Sequence, residues 1–247
     1  MNLKDYKVGL FVPCDIDQFS PQTAWNALHL LEGMGLKVHY STDLTGSGME
    51  LYNMGDKQMA KQLGEKMIES FCDCTHVVSL SSATVAYVQK RFTPLFRNTT
   101  LLGEYRNFIA HFIDFSDFLV NDVGFTPSKA FPHRVAFMDN CQTMCDYHSP
   151  SHGKRGLREE PRQLLRSVPE LHLVEMEQNN TCCGYGGLFV NHYTIISDKM
   201  AQMKIDNALS LNAEYIAATE MSCLLHLRSY AEKKKIDIRF IHLADIM

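Results

Sequence analysis

The stretch KVGLFVPC at residues 7–14 has a counterpart in HRVAFMDNC at residues 133–141. Each is a short apolar run that ends at a cysteine. A run of this length with β-branched and aromatic residues predicts a buried strand. Working outward from the first copy, SPQTAWNALHLLEGMG (20–35) reads as a helix, with Ser20 as N-cap and Pro21 at the first helical position. Trp25, Leu28 and Leu31 fall near helical spacing, and Gly33 or Gly35 can end the helix. KVHY (37–40) is a second strand. The glycine-containing loop 42–55 leads to a helix over 56–71, a strand HVVSLSS (76–82) and a helix over 84–92.

The same order follows the second run. A helix over 159–168 precedes the strand LHLVEM (171–176), the loop NNTCCGYGG (179–187) and a helix over 197–211. AEYIAAT (213–219) is a strand, 222–235 a helix, and IDIRFIHL (236–243) a last strand running into a short helix. Strands alternating with helices imply parallel sheets with right-handed crossovers. The expected fold class is therefore α/β, with two similar lobes from an internal duplication, each a parallel sheet flanked by helices. The segment FSDFLVNDVGFTPSKAFPH (115–133) has the Gly and Pro content of a linker. We expect the first lobe to span 1–127 and the second 128–247.

Composition sets the class. The chain has 247 residues, 45% hydrophobic and 21% charged, ample for a packed core. A net charge of -4 leaves no electrostatic footprint for nucleic acid. The basic run Lys233–Lys234–Lys235 reads as a solvated helix end. The first apolar run is too short for a signal h-region or a membrane span. Cytoplasmic placement is the expectation, and there eight cysteines are poor candidates for structural disulfides.

Aligning the copies makes the cysteines informative. Cys14 ends the first strand of copy one, as Cys141 does in copy two. The loop with Cys182 and Cys183 corresponds to Gly46-Ser47-Gly48, and Cys223 to a position near Thr84. Loops after the carboxyl ends of parallel strands gather at one edge of the sheet. Cys141, Cys182, Cys183 and Cys223 can therefore converge on one spot. Adjacent side chains of an extended strand point to opposite faces, so two neighbouring thiols serve one centre only where the backbone turns. Gly184, Gly186 and Gly187 permit that turn and expose N–H groups that can donate to sulfur. Cys72 and Cys74 lack a counterpart in the other copy and read as small buried apolar residues.

The order Cys141, Cys182-Cys183-Gly184, Cys223 resembles the cysteine-rich CCG domain. That domain occurs in heterodisulfide reductase and in the iron–sulfur subunit of glycolate oxidase. Further segments, among them YNMGDKQMAKQL, FSDFLV, EEPRQLLRSVPELHLVEM and CLLHL, resemble the lactate utilization protein A, or (Fe–S) oxidoreductase, family along nearly the whole chain. The resemblance implies that Cys141, Cys182, Cys183 and Cys223 ligate an iron–sulfur cluster of the [4Fe–4S] kind, with Gly184 shaping the cofactor loop. It implies an electron-transfer subunit, an oxidoreductase component of a complex that oxidises lactate or another 2-hydroxy acid. A second iron–sulfur protein and a third subunit would be its partners.

This chain also departs from the pattern. The first lobe has Gly46-Ser47 in place of a double cysteine and a threonine near residue 84, so its motif is degenerate. The second lobe ends in Cys223 alone, without a C-x-x-C. Cys145 could supply a further ligand only if its loop folds inward. Among histidines, His226 shares a helix face with Cys223. His192 and His242 read as core or surface residues, His148 and His152 as solvent-exposed. No phosphate loop, dinucleotide fingerprint, H-E-x-x-H or G-x-S-x-G is present. The other reading is a scaffolding subunit whose four cysteines hold zinc, or no metal. Zn–S₄ suits four thiolates as well.

Overall fold

The computed structural model describes residues 5–247 other than 98, 152, 154, 155, 158, 178 and 180. Two four-stranded sheets form, both wholly parallel and of one topology. In the first, β1 (Lys7–Phe11), β2 (Lys37–His39), β3 (His76–Ser79) and β4 (Phe112–Asp114) lie in the order β2-β1-β3-β4. In the second, β5 (Arg134–Phe137), β6 (His172–Glu175), β7 (Tyr215–Ala218) and β8 (Arg239–His242) lie in the order β6-β5-β7-β8. Val8 pairs with Val38 on one side and His76 on the other; Val135 pairs likewise with Leu173 and Tyr215. The central strands are buried after their first residue, as expected where helices cover both faces of a parallel sheet.

The helices of the first lobe are α1 (Cys14–Phe19), α2 (Pro21–Gly33), α3 (Met49–Asn53), α4 (Lys57–Ser70), α5 (Ser82–Phe96), α6 (Leu102–His111) and α7 (Phe115–Asp117). Those of the second are α8 (Cys141–Asp146), α9 (Glu159–Ser167), α10 (Leu188–His192), α11 (Thr194–Ser210) and α12 (Met221–Lys234). α2 begins at Pro21 with Ser20 as N-cap, though the Ser20 side chain makes no capping bond. Its buried stripe is Thr23, Ala27 and Leu31, and Trp25 points outward.

Two local readings need correction. The segment 115–133 is not a linker throughout. Its first part forms α7 and one π-helical stretch, Phe118–Asp122, and buries Phe115, Phe118 and Leu119. The glycine and prolines that suggested a linker all lie after residue 123. The first lobe also has a fourth strand, β4, preceded by α6. Its three residues are too few to show a period in sequence.

The lobes share one core. Val8, Leu10, Val78, Phe115 and Phe118 of the first half belong to the same apolar cluster as Val135, Ile216, Leu224 and Leu243 of the second. A second cluster fills the other face of the first sheet around Phe11, Met67, Val85, Phe92 and Phe112. The carboxyl edges of the sheets meet. Ser82 N–H donates to Thr219 O (3.3 Å), and the Thr143 hydroxyl donates to Ser82 Oγ (3.0 Å). The buried Glu220 Oε2 accepts from Ser81 Oγ (2.8 Å) and from the Ala83 N–H (3.1 Å). Among the described residues, no helix is long and apolar enough to cross a membrane.

Candidate metal centre

In each sheet the chain leaves the central strand in one direction and then returns to build the other side. The crevice this leaves at the carboxyl ends, between β5 and β7, is the usual ligand position of an open parallel sheet. The second lobe places its cysteines there. Cys141 opens α8 directly after β5, and Cys223 lies in the first turn of α12 directly after β7. Cys182 and Cys183 come from the loop after β6. All four line one cavity of about 310 Å³ between the lobes.

The sulfurs form a chain of contacts, Cys141 to Cys182, Cys182 to Cys183 and Cys183 to Cys223. The last pair is 3.0 Å apart. Cys183 and Cys223 are buried, whereas Cys141 and Cys182 are partly exposed. Three loops distant in sequence thus bring four thiols together. Among the described residues, no three His, Cys, Asp or Glu side chains are placed to hold a single metal ion.

The backbone of the double-cysteine loop explains its glycines. Gly184 has φ +95°, and a Cβ there would sit 2.8 Å from Ser197 O and 3.0 Å from Met200 Cβ. Only glycine satisfies both the left-handed conformation and the close approach to α11. Gly184 N–H donates to Cys182 Sγ at 3.4 Å. The main-chain amides of Gln142 and Tyr185 serve Cys141 and Cys183 in the same way. Asn140 caps α8 through its side-chain oxygen, which accepts from Thr143 N–H, and its Nδ2 lies 3.8 Å from Cys223 Sγ.

These contacts divide the thiols. Hydrogen bonds from Cys141 and Cys183, then from the Gly184 amide, favour the Cys182 thiolate and pull its pKa down. Cys141 and Cys183 are pushed up, chiefly because each donates to Cys182 and is buried. Lys204 stands behind the loop, its side chain buried, with Nζ donating to Asn179 O at 2.9 Å. Burial lowers the Lys204 pKa, against the attraction of Cys183, Asp139, Cys182 and Cys141. Asp139 itself is clamped by Arg162 through two bonds of 2.8 and 3.0 Å.

The other sequence candidates lie elsewhere. Cys145 is exposed on α8 and does not line the cavity. His226 is buried against Ser197 (Nε2 to Oγ, 3.2 Å), and Ser197 Oγ donates to Gly184 O at 2.7 Å. The imidazole thus braces the cysteine loop from behind. His242 contacts Leu80 O across the lobe interface, while His192 and His148 are exposed. His152 lies outside the described residues. Sequence reading missed Lys204, Asn140 and Ser197. Lys204 and Ser197 share the buried face of α11, a signal visible only as polar residues on an otherwise core-facing stripe.

The first lobe repeats the scaffold with only one of the four sulfurs, that of Cys14. Gly48 has φ +80°, and a Cβ on it would lie 2.9 Å from Ala60 O, as Gly184 does against Ser197. Gly46 and Ser47 therefore stand where Cys182 and Cys183 stand. Ser81 caps α5 as Glu220 precedes α12, which puts Thr84 at the place of Cys223. Cys14 remains, on an adjoining cavity of about 230 Å³ with Asp15, Glu50, Tyr185, Glu220 and Ser222.

The family of such a chain is recognisable by comparison. The chain is 29% identical over 244 residues to lactate utilization protein A of Halalkalibacterium halodurans, covering 98% of this chain and 96% of that protein. It is 28% identical over 244 residues to lactate utilization protein A of Bacillus subtilis, covering 98% of each. Among solved structures it resembles a hypothetical protein from Helicobacter pylori with TM-score 0.68 at 10% identity, a likeness of fold. The match covers 98% of this chain and 48% of that one, so the chain spans about half the length of that structure. The cysteine-rich domain called CCG matches twice, at residues 8–83 and 135–228, one match on each sheet. With two such domains filling most of its length and the double cysteine of the second turned into the interlobe cavity, the chain belongs to the CCG cysteine-rich domain family.

Proposed function

We propose that this protein is an iron–sulfur electron-transfer subunit of a system that oxidises lactate or another 2-hydroxy acid. One cluster would be held by Cys141, Cys182, Cys183 and Cys223. The observation that carries this reading is the meeting of these four thiols in one cavity, with backbone N–H groups directed at three of them. The donor set fits the cofactor in chemistry. Four thiols match the ligand count of an ordinary cluster, and N–H donation stabilises thiolate charge. When bound, such a cluster supplies a site that accepts and returns single electrons.

The chain's own residues then have separable tasks. Cys182 is the thiol most readily held as thiolate. Lys204 offsets the negative charge gathered at the sulfurs. Ser197 and His226 fix the loop, and the Arg162–Asp139 pair anchors the turn after β5. The lactate role is carried over from the relatives' names. Among the described residues, the walls of the two cavities contain Asp15, Glu50 and Glu220 and no Lys or Arg. Such walls offer no cation to pair with a carboxylate substrate, which supports an electron carrier over the site of carbon chemistry.

The competing zinc scaffold asks for four sulfurs around one ion. Four thiols suit either centre by count, and the cluster reading draws its support from the CCG family membership and from the N–H groups directed at the sulfurs. Protein purified without oxygen decides between them. Stoichiometric iron and acid-labile sulfide, brown colour, and their loss in Cys183→Ser are expected. A colourless preparation carrying one zinc per chain would overturn the proposal.

A further inference from the structure

Cys72 and Cys74 do not behave as the buried fillers their sequence suggested. Cys72 is exposed and Cys74 half-buried. They sit in the turn between α4 and β3, closed by a Cys74 N–H bond to Phe71 O at 3.0 Å. That turn lies at the amino edge of the first sheet, while the four-thiol cavity lies at the carboxyl edge. Both cysteines line the same two clefts. One is an open cleft of about 410 Å³ with Lys7, Lys37, His39, Glu69 and Asp73. The other is a slot of about 50 Å³ with Phe108, Glu104 and His111. Cys74 Sγ packs over Gly9 of β1, 3.1 Å from where a Cβ would stand.

A turn brings α-carbons two residues apart within the roughly 4.4–6.8 Å that a disulfide spans. Both side chains open onto the same two clefts, so the pair shares one accessible space. We propose that Cys72 and Cys74 form a reversible dithiol–disulfide pair that exchanges with low-molecular-weight disulfides. This goes beyond the electron-transfer reading and does not depend on it.

The exchange balances as two displacements. Exposed Cys72, as thiolate, attacks one sulfur of the small disulfide, whose S–S bond breaks. One small thiolate leaves and takes up the proton released by Cys72. Cys74 then gives up its proton and attacks Cys72 Sγ, and the second small thiolate leaves with that proton. Two electrons pass from the two cysteines to the small disulfide. The order follows from the surroundings: burial, then the Asp73 charge, push the Cys74 thiol up to about 11, so it attacks second.

The test uses the full chain equilibrated in glutathione buffers of increasing oxidised fraction, then quenched with an alkylating agent and digested with trypsin. Cys72 and Cys74 share the peptide 67–90, which contains no other cysteine; Cys14 is alone on peptide 8–37. Peptide 67–90 is expected to lose both alkylation sites together, as an internal disulfide, while Cys14 stops at a mixed disulfide. Cys74→Ser should hold the mixed disulfide on Cys72. Cys72→Ser should slow modification of Cys74 at least tenfold. Two separate glutathione adducts on peptide 67–90 in the parent protein would overturn the proposal. So would full alkylation of that peptide under conditions that modify Cys14, or a crosslink from it to another peptide.

Discussion

Replacing Gly184 by alanine tests whether the double-cysteine loop is held as described. Two penalties arise at this position. An L-residue at φ +95° costs about 1–2 kcal/mol. The added methyl also meets Ser197 O at 2.8 Å and Met200 Cβ at 3.0 Å, on a helix that cannot easily retreat. Relieving such overpacking costs about 1–3 kcal/mol more. The sum is about 2–5 kcal/mol. Gly187 supplies the control: it has φ +60° in the same loop, yet its added methyl meets nothing within 4 Å. Only a conformational penalty applies there, about 1–3 kcal/mol at φ +60° and ψ -103°. At this chain length each kcal/mol moves Tm by about 2–4 °C. Gly184→Ala should lower Tm by roughly 5–15 °C and Gly187→Ala by a few degrees. Gly48→Ala, with its methyl 2.9 Å from Ala60 O, should match Gly184→Ala. Thermal unfolding of the metal-free protein, followed by circular dichroism, reads all three. Equal shifts for Gly184→Ala and Gly187→Ala would refute the close approach of loop and α11.

Glu220 is pushed up to about 8, chiefly by burial, so the folded state holds its proton where the unfolded chain has released it. Stability should therefore fall as pH rises from the unfolded carboxylate range through 8, by up to about 1.4 kcal/mol per unit, and Glu220→Gln should flatten urea midpoints between pH 6 and 8. Lys204→Met removes the cation behind the sulfurs, and redox titration of the loaded protein should show a potential more negative by about 60 mV if the charge is worth about 1.4 kcal/mol. An unchanged potential would assign Lys204 to packing alone. Cys145→Ser should leave iron content unaltered, whereas Cys223→Ser should reduce it severalfold; iron and sulfide assays of anaerobic protein check both.

Much of the architecture follows from local pattern. Buried parallel strands are continuous apolar runs, and those at 7–11, 76–79, 134–137 and 215–218 could be found on that basis. The short pieces could not: β4, α1, α3 and α10 have three to six residues, fewer than a reliable period needs. Sequence alone suggests that Cys72 and Cys74 are buried, because cysteine usually is. Their exposure follows from how the turn after α4 packs over β1, where Phe71 and Cys74 lie against Gly9, about sixty residues away in sequence.

The duplicated α/β order, the four cysteines of the second copy and the degeneracy of the first are legible in residue type and strand-end position. Which groups serve those sulfurs emerges only from the folded arrangement. Lys204, Ser197 and His226 come from α11 and α12, and Glu220 reaches the first lobe through Ser81 and Ala83. Burial and hydrogen bonding are properties of neighbours in space, and a chain does not state its spatial neighbours until the two sheets have closed edge to edge.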